Sequence, residues 1–150
     1  MDHKIITLDE IKVIGIEART SNDSASDEIP KLWQKFFTEK IKENILNKIS
    51  SDILSLYTEY ESDYTKPYTI VLCCKVKDFS EVPDGMVSKI IPASKFAVFN
   101  AKGKMPDELV KTWENIWSSD LDRTYTGDFD LYTEKYFSDQ PEADVYVAIK

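Results

Sequence analysis

The chain has 150 residues, of which 42% are hydrophobic and 31% charged, and a formal charge of −8. That length allows one sizeable core, and no apolar run approaches the ~20 residues that a membrane-spanning helix needs. The acidity is spread over both halves, −3 in residues 1–75 and −5 in residues 76–150, so neither half offers a basic face for nucleic-acid phosphate. The opening Met1-Asp2-His3-Lys4 lacks the charged-then-apolar pattern of an export signal, which predicts a cytoplasmic protein.

In chain order, residues 5–8 and 13–16 read as strand with a bend around Asp9-Glu10, followed by a polar, turn-rich segment from Ser21 to Asp27. A helix follows, with Asp27 as its cap, Pro30 in its first turn, and Leu32, Trp33, Phe36, Phe37 and Ile41 as its apolar stripe; it fades over 44–50. Strands are expected at 53–61 and 68–77, joined by the turn Ser62-Asp63-Tyr64-Thr65-Lys66-Pro67. The second half repeats this order. Strands at 87–91 and 95–101 lead through Gly103-Lys104-Met105-Pro106 into a helix carrying Leu109, Trp113, Ile116 and Trp117 on one face. Strands at 128–136 and 143–150 close the chain.

The letters repeat as well. Leu56-Tyr57-Thr58-Glu59 recurs 75 residues later as Leu131-Tyr132-Thr133-Glu134, and Pro30 with its apolar followers corresponds to Pro106 at an offset of 76. The expected fold is therefore α+β: a single domain over 1–150 built by tandem duplication of a β-α-β-β module. Repeat one spans about 1–78 and repeat two about 85–150, with a shared curved antiparallel sheet, helices on one face and a pseudo-two-fold cleft.

Few residues suggest bond-making chemistry. Cys73 and Cys74 are neighbours on a strand and point to opposite faces, so they suit neither a disulfide nor, as two thiols alone, a zinc site. His3 is the lone histidine and stands at the terminus, which leaves no Ser-His-Asp or Cys-His arrangement. No metal and no cofactor is expected.

Aromatic content is the outlier, with three Trp, eight Tyr and seven Phe. Alternation along the strands sets Tyr57 and Glu59 opposite Leu54, Leu56 and Tyr60. It sets Asp128, Asp130, Tyr132, Glu134 and Tyr136 opposite Phe129 and Leu131, and Asp144 and Tyr146 opposite Val145, Val147 and Ile149. Such a face is either a soluble sheet surface of good strand formers or a concave site in which ring faces and a carboxylate receive a flat cation. Trp113 and Trp117 are either core or wall by the same pattern. If the two Leu-Tyr-Thr-Glu strands share a two-fold axis, the pocket is walled by Tyr57, Tyr68, Trp113, Trp117, Tyr132 and Tyr146, with Asp130 or Glu134 inside.

Four segments resemble one family in the right order: Tyr57-Thr58-Glu59-Tyr60-Glu61-Ser62-Asp63-Tyr64-Thr65-Lys66-Pro67-Tyr68-Thr69, Trp113-Glu114-Asn115-Ile116-Trp117, the run from Arg123 through Tyr132, and the closing strand 144–150. They are similar to the gyrase-inhibitor-like (GyrI-like) bacterial effector-binding domains, which also form the drug-sensing part of AraC-type and MerR-type regulators and stand alone in integron-cassette proteins. The resemblance implies a ligand cleft between two modules that takes flat or amphipathic organic cations on aromatic walls and an acid. That acid falls on Asp130, one methylene shorter than the family's Glu, with Glu134 as the alternative on the same face. Cys73-Cys74 stand where the family usually has glycine.

The implied function is a stand-alone small-molecule sensor or sequestering protein without direct nucleic-acid or membrane contact, since a helix-turn-helix has no room in the chain. The resemblance also leaves open a hydrolase of strained electrophilic toxins in the same cleft, or a module binding a protein partner such as a regulator or gyrase. Nothing in the residues compels catalysis, and binding without turnover is the expectation.

Overall fold

The computed structural model describes residues 2–150. Eight strands form one sheet: β1 (Lys4–Leu8), β2 (Ile11–Thr20), β3 (Ile53–Thr58), β4 (Tyr68–Lys75), β5 (Val87–Ile91), β6 (Ser94–Lys102), β7 (Asp128–Tyr132) and β8 (Glu142–Ile149). Their order across the sheet is β1-β6-β8-β7-β3-β4-β2-β5, and every pairing is antiparallel. Three helices accompany them, α1 (Ala25–Thr38), the single turn α2 (Ile41–Asn44) and α3 (Asp107–Trp117).

The sheet reads alike from both edges. β2-β4-β3 on one side mirrors β6-β8-β7 on the other, and the innermost strands β3 and β7 meet with Ser55 opposite Asp130. The edge strands are exchanged: β1 pairs with β6 of the second half, and β5 pairs with β2 of the first. Alternation says which way a side chain points and nothing about which strand lies beside it, so this exchange leaves no mark in the sequence pattern.

α1 starts two residues before the expected cap, with Ser24 at the N-cap and Asp27 and Glu28 in the first turn, where their charge complements the helix dipole. Leu32 and Phe36, one turn apart, are the residues it buries. α3 buries Leu109, Thr112, Trp113 and Ile116 in the same manner.

Both faces of the sheet are apolar. On the helix side, Leu32, Phe36 and Ile45 cover β2 and β4 through Ile14, Ile16, Ile70 and Leu72, while Leu109, Trp113 and Ile116 cover β6 and β8 through Ala97, Phe99, Val145 and Val147. The other face is built from strand residues alone, among them Val13, Leu54, Leu56, Ile91, Phe96, Val98 and Phe129. A face buried without a helix requires the sheet to curl over itself, and that curvature turns the helix-bearing side outward on both flanks of the β3/β7 pair.

Close approach of β2 and β4 depends on Gly15, the partner of Cys73. A Cβ there would lie 1.9 Å from the Leu72 carbonyl oxygen and 2.6 Å from the Cys73 Cα, both backbone atoms that cannot swing away. Gly15→Ala should therefore force the strands apart and destabilise the fold by about 3 kcal/mol or more, measured by urea unfolding. A loss below about 1 kcal/mol would show that the two strands do not pack this closely.

Candidate ligand-binding site

α1 covers β2 and β4, α3 covers β6 and β8, and the central β3/β7 pair is left open between them. The gap is a cavity of about 680 Å³, a size suited to one drug-sized molecule. Its floor is Tyr57, Asp130 and Tyr132, and its walls are Ile29, Pro30, Trp33 and Phe37 from α1 and Leu109, Val110, Trp113 and Trp117 from α3. Tyr60, Tyr64, Tyr68 and Arg123 close one end, and Tyr136 and Phe137 the other.

The rings brace one another. Tyr57 meets Trp113 edge-to-face at 5.3 Å and Tyr68 at 5.9 Å, Trp33 meets Tyr132 at 5.2 Å, and Tyr64 stacks on Trp117 at 5.8 Å with planes 6° apart. Such pairs prefer these geometries because the ring edge is positive and the face negative. The same quadrupole attracts a cation to a ring face.

β7 carries two carboxylates on the cavity side of the sheet, and they are held differently. Asp128 is fully buried and accepts from the Arg123 guanidinium at 2.8 Å, the Tyr60 hydroxyl at 2.6 Å and the Ala148 backbone N–H at 2.8 Å. Asp130, 1% exposed, accepts only from neutral donors: Tyr57 Oη at 2.7 Å, Trp113 Nε1 at 2.8 Å and Tyr132 Oη at 3.3 Å. Among the described residues it has no ion-pair partner. Burial raises the Asp130 carboxyl to about 6, with a smaller upward push from Asp128, against the downward pull of the three hydrogen bonds. Burial and the charge of Asp130 raise the Tyr57 and Tyr132 hydroxyls well above their usual range and push Tyr68 up to about 12, so all three remain protonated donors.

Six of the eight residues singled out in the sequence come together here: Tyr57, Tyr68, Trp113, Trp117, Asp130 and Tyr132. Glu134 and Tyr146 do not. β7 stops at Tyr132, and Thr133 caps a short 3₁₀ turn, Glu134–Phe137, by accepting from the Lys135 N–H at 3.2 Å. Strand alternation therefore ends before Glu134, which faces a separate shallow hollow beside Ser51 and Glu142. Tyr146 is paired with Phe129 and stacks on it at 4.4 Å on the opposite side of the sheet, because the register sets Asp130 across from Val145.

Tyr60 moves the other way. Expected with Leu54 and Leu56, it enters the cavity because Glu59 adopts a left-handed φ of 51° and breaks the alternation. The α1 stripe residues Trp33 and Phe37 line the cavity, and the offset of 76 that links Pro30 to Pro106 also links them to Leu109 and Trp113, a signal that places them on the opposing wall. Arg123 lies in a loop, where strand alternation gives no facing; its mark in the sequence is its place at the head of the family-resembling run to Tyr132. Among the described residues, no group of three or more His, Cys, Asp or Glu side chains is placed to hold a metal.

Asp130 should leave a mark on stability. An unfolded aspartate titrates near 3.8 and the folded one at about 6, so between those values the folded chain holds the extra proton. Stability therefore falls as pH rises from 4 to 6 and levels off above, by about 3 kcal/mol in all. Asp130→Asn should abolish that component and be the more stable protein at pH 7. Urea unfolding of both proteins at pH 4 to 8 measures it; parallel curves would mean that Asp130 is not a desolvated carboxylate.

Residues 4–149 match the family described as "Cass2: Integron-associated effector binding protein". The protein YobU of Bacillus subtilis (strain 168) is 31% identical over 97% of this chain and 96% of its own length. Among solved structures, the Vibrio cholerae integron cassette protein VCH_CASS2 is 25% identical, with a TM-score of 0.76 over 99% of this chain and 95% of that one. SAV2435, in a structure bound to tetraphenylphosphonium, shares the fold with a TM-score of 0.83 at 17% identity, over 100% of this chain and 94% of that one. The resemblance to stand-alone GyrI-like domains thus holds along the whole chain, which belongs to the family of integron-associated effector binding proteins.

Proposed function

We propose that this protein binds one amphipathic aromatic cation between α1 and α3 and acts as a stand-alone cytoplasmic sensor or sequestering protein, with Asp130 as the counter-charge. The observation that carries this reading is the Asp130 carboxylate, buried on the floor of an aromatic cavity with neutral donors only. A buried charge without a partner is costly, and a cation entering the cavity supplies the partner. Ring faces on both walls add cation–π attraction and shape. Support comes from the effector-binding family, from the tetraphenylphosphonium in the SAV2435 structure, and from the −8 charge that favours encounter with cations.

The test is calorimetric titration of (biphenylmethyl)trimethylammonium beside the neutral hydrocarbon in which carbon replaces nitrogen. The ammonium should bind with one-to-one stoichiometry and more tightly than the hydrocarbon. Asp130→Asn should weaken the ammonium by roughly 10- to 100-fold, about 1.4–3 kcal/mol, and leave the hydrocarbon little changed. Because the carboxyl takes up a proton near pH 6, wild-type affinity for the cation should fall below that pH by up to about tenfold per unit, with a flat profile in Asp130→Asn. Equal binding of the two compounds would remove the reading.

A further inference from the structure

Arg123 lines the cavity, yet the cation-binding reading makes no use of its hydrogen-bonding capacity. Its side chain is 4% exposed, and Nη2 donates to Asp128 at 2.8 Å. Among the described residues, Nε and Nη1 have no acceptor. Tyr125 covers one face of the guanidinium at 4.3 Å, which leaves the in-plane N–H groups to an acceptor arriving edge-on. The fold does not force this arrangement. Lys48 occupies the matching place in the first half, 75 residues earlier, and like Arg123 makes an isolated bridge near the end of its half's last strand. Its ammonium is satisfied by the carbonyls of Lys42 and Ile45, both at 2.8 Å.

Trp113 relates Arg123 to Asp130. The indole N–H donates to Asp130 Oδ1 at 2.8 Å, and the Arg123 guanidinium lies 5.8 Å from the centre of the same ring. The two polar groups thus flank the same indole in one cavity, within reach of a single drug-sized ligand. Charge balance sets the kind of acceptor. Arg123 and Asp128 neutralise each other, so the cavity carries the single charge of Asp130. One ligand cation balances it, and a carboxylate on that ligand would restore the imbalance. A neutral oxygen satisfies the guanidinium without doing so.

We infer that Arg123 is a second specificity determinant of this cavity, and that the preferred ligand is an aromatic cation carrying a neutral carbonyl oxygen a few bonds from its cationic centre. The inference rests on the cation-binding reading of the same cavity. The test pairs (oxoalkyl)triphenylphosphonium ions, with the carbonyl three to five bonds from phosphorus, with alkyltriphenylphosphonium ions of the same chain length. At least one ketone should bind wild-type protein about fivefold or more tighter than its alkyl partner. In the double variant Arg123→Met, Asp128→Asn, which removes both members of the buried pair and so strands neither charge, that ratio should fall to one. Circular dichroism confirms that the variant is folded, and Arg123→Lys with Asp128 retained serves as a second variant, in which the ratio should fall partway because the ammonium lacks the planar fork. Ratios of one throughout the wild-type series, or a preference that persists in the double variant, would overturn the inference while leaving cation binding intact. Failure of every phosphonium to bind, or alkyl ions that bind Asp130→Asn as well as wild type, would instead remove the cation reading and this inference with it.

Discussion

Asp130 is buried on the floor of the cavity with three neutral hydrogen bonds and no ion pair, and the rest of the site is arranged around that fact. Removing a carboxylate from water costs several kcal/mol, and hydrogen bonds to a charged group return about 1.5–3 kcal/mol each. The upward displacement of its titration to about 6 shows that the return is incomplete. Asp128, two residues away on the same face, shows what the same strand does when a carboxylate is structural: it receives a guanidinium, a phenol and a backbone N–H. The contrast between two acids of equal burial separates one whose charge is paired within the fold from one whose charge is not.

That opening exists because of how the helices sit. Each lies over the strands of its own half, and the seam where the halves meet, β3 against β7, has no helix above it. A seam exposed in this way would collapse if lined by flexible aliphatics. Large rings braced against one another resist collapse, since Trp33, Tyr57, Trp113 and Tyr132 each meet two or more other rings and lose little rotamer freedom on meeting a ligand. The curled strand-only core behind the sheet supports the floor from below, so the cavity wall is rigid on both sides.

Much of this was legible in the sequence, and the failures are physically specific. The repeated Leu-Tyr-Thr-Glu and the period of two correctly put Tyr57, Asp128, Asp130 and Tyr132 on one face. The same period failed one or two residues later in both copies, where left-handed Glu59 and the Thr133-capped turn end the strands. Tyr146 failed for another reason. With one apolar face and one solvated face, a tyrosine among valines marks the outer side, but here both faces are buried and Val145 shares the side of Asp130. Arg123 and the exchanged edge strands lie beyond what periodicity can report, the first because loops have none, the second because strand partners are chosen by tertiary packing.

The two halves also differ where it matters for charge. At an offset of 75, Tyr57 maps to Tyr132, and both hydroxyls reach the same Asp130 carboxylate. The same offset maps Asp130 to Ser55, the residue directly across from it on β7's neighbour. Directly opposed side chains in an antiparallel pair stand about 5 Å apart, so an acid at both positions would form a like-charge pair sharing one proton at neutral pH. Serine at one of them leaves a single charge on the axis, matching the one cation of the proposed ligand, with open cavity above it. Lys48 and Arg123 follow the same logic: one member of the pair closes off a helix end, and the other faces the cavity. A symmetric scaffold supplies the cleft, and the departures from symmetry at these two pairs give it a polarity along which an asymmetric ligand can be oriented.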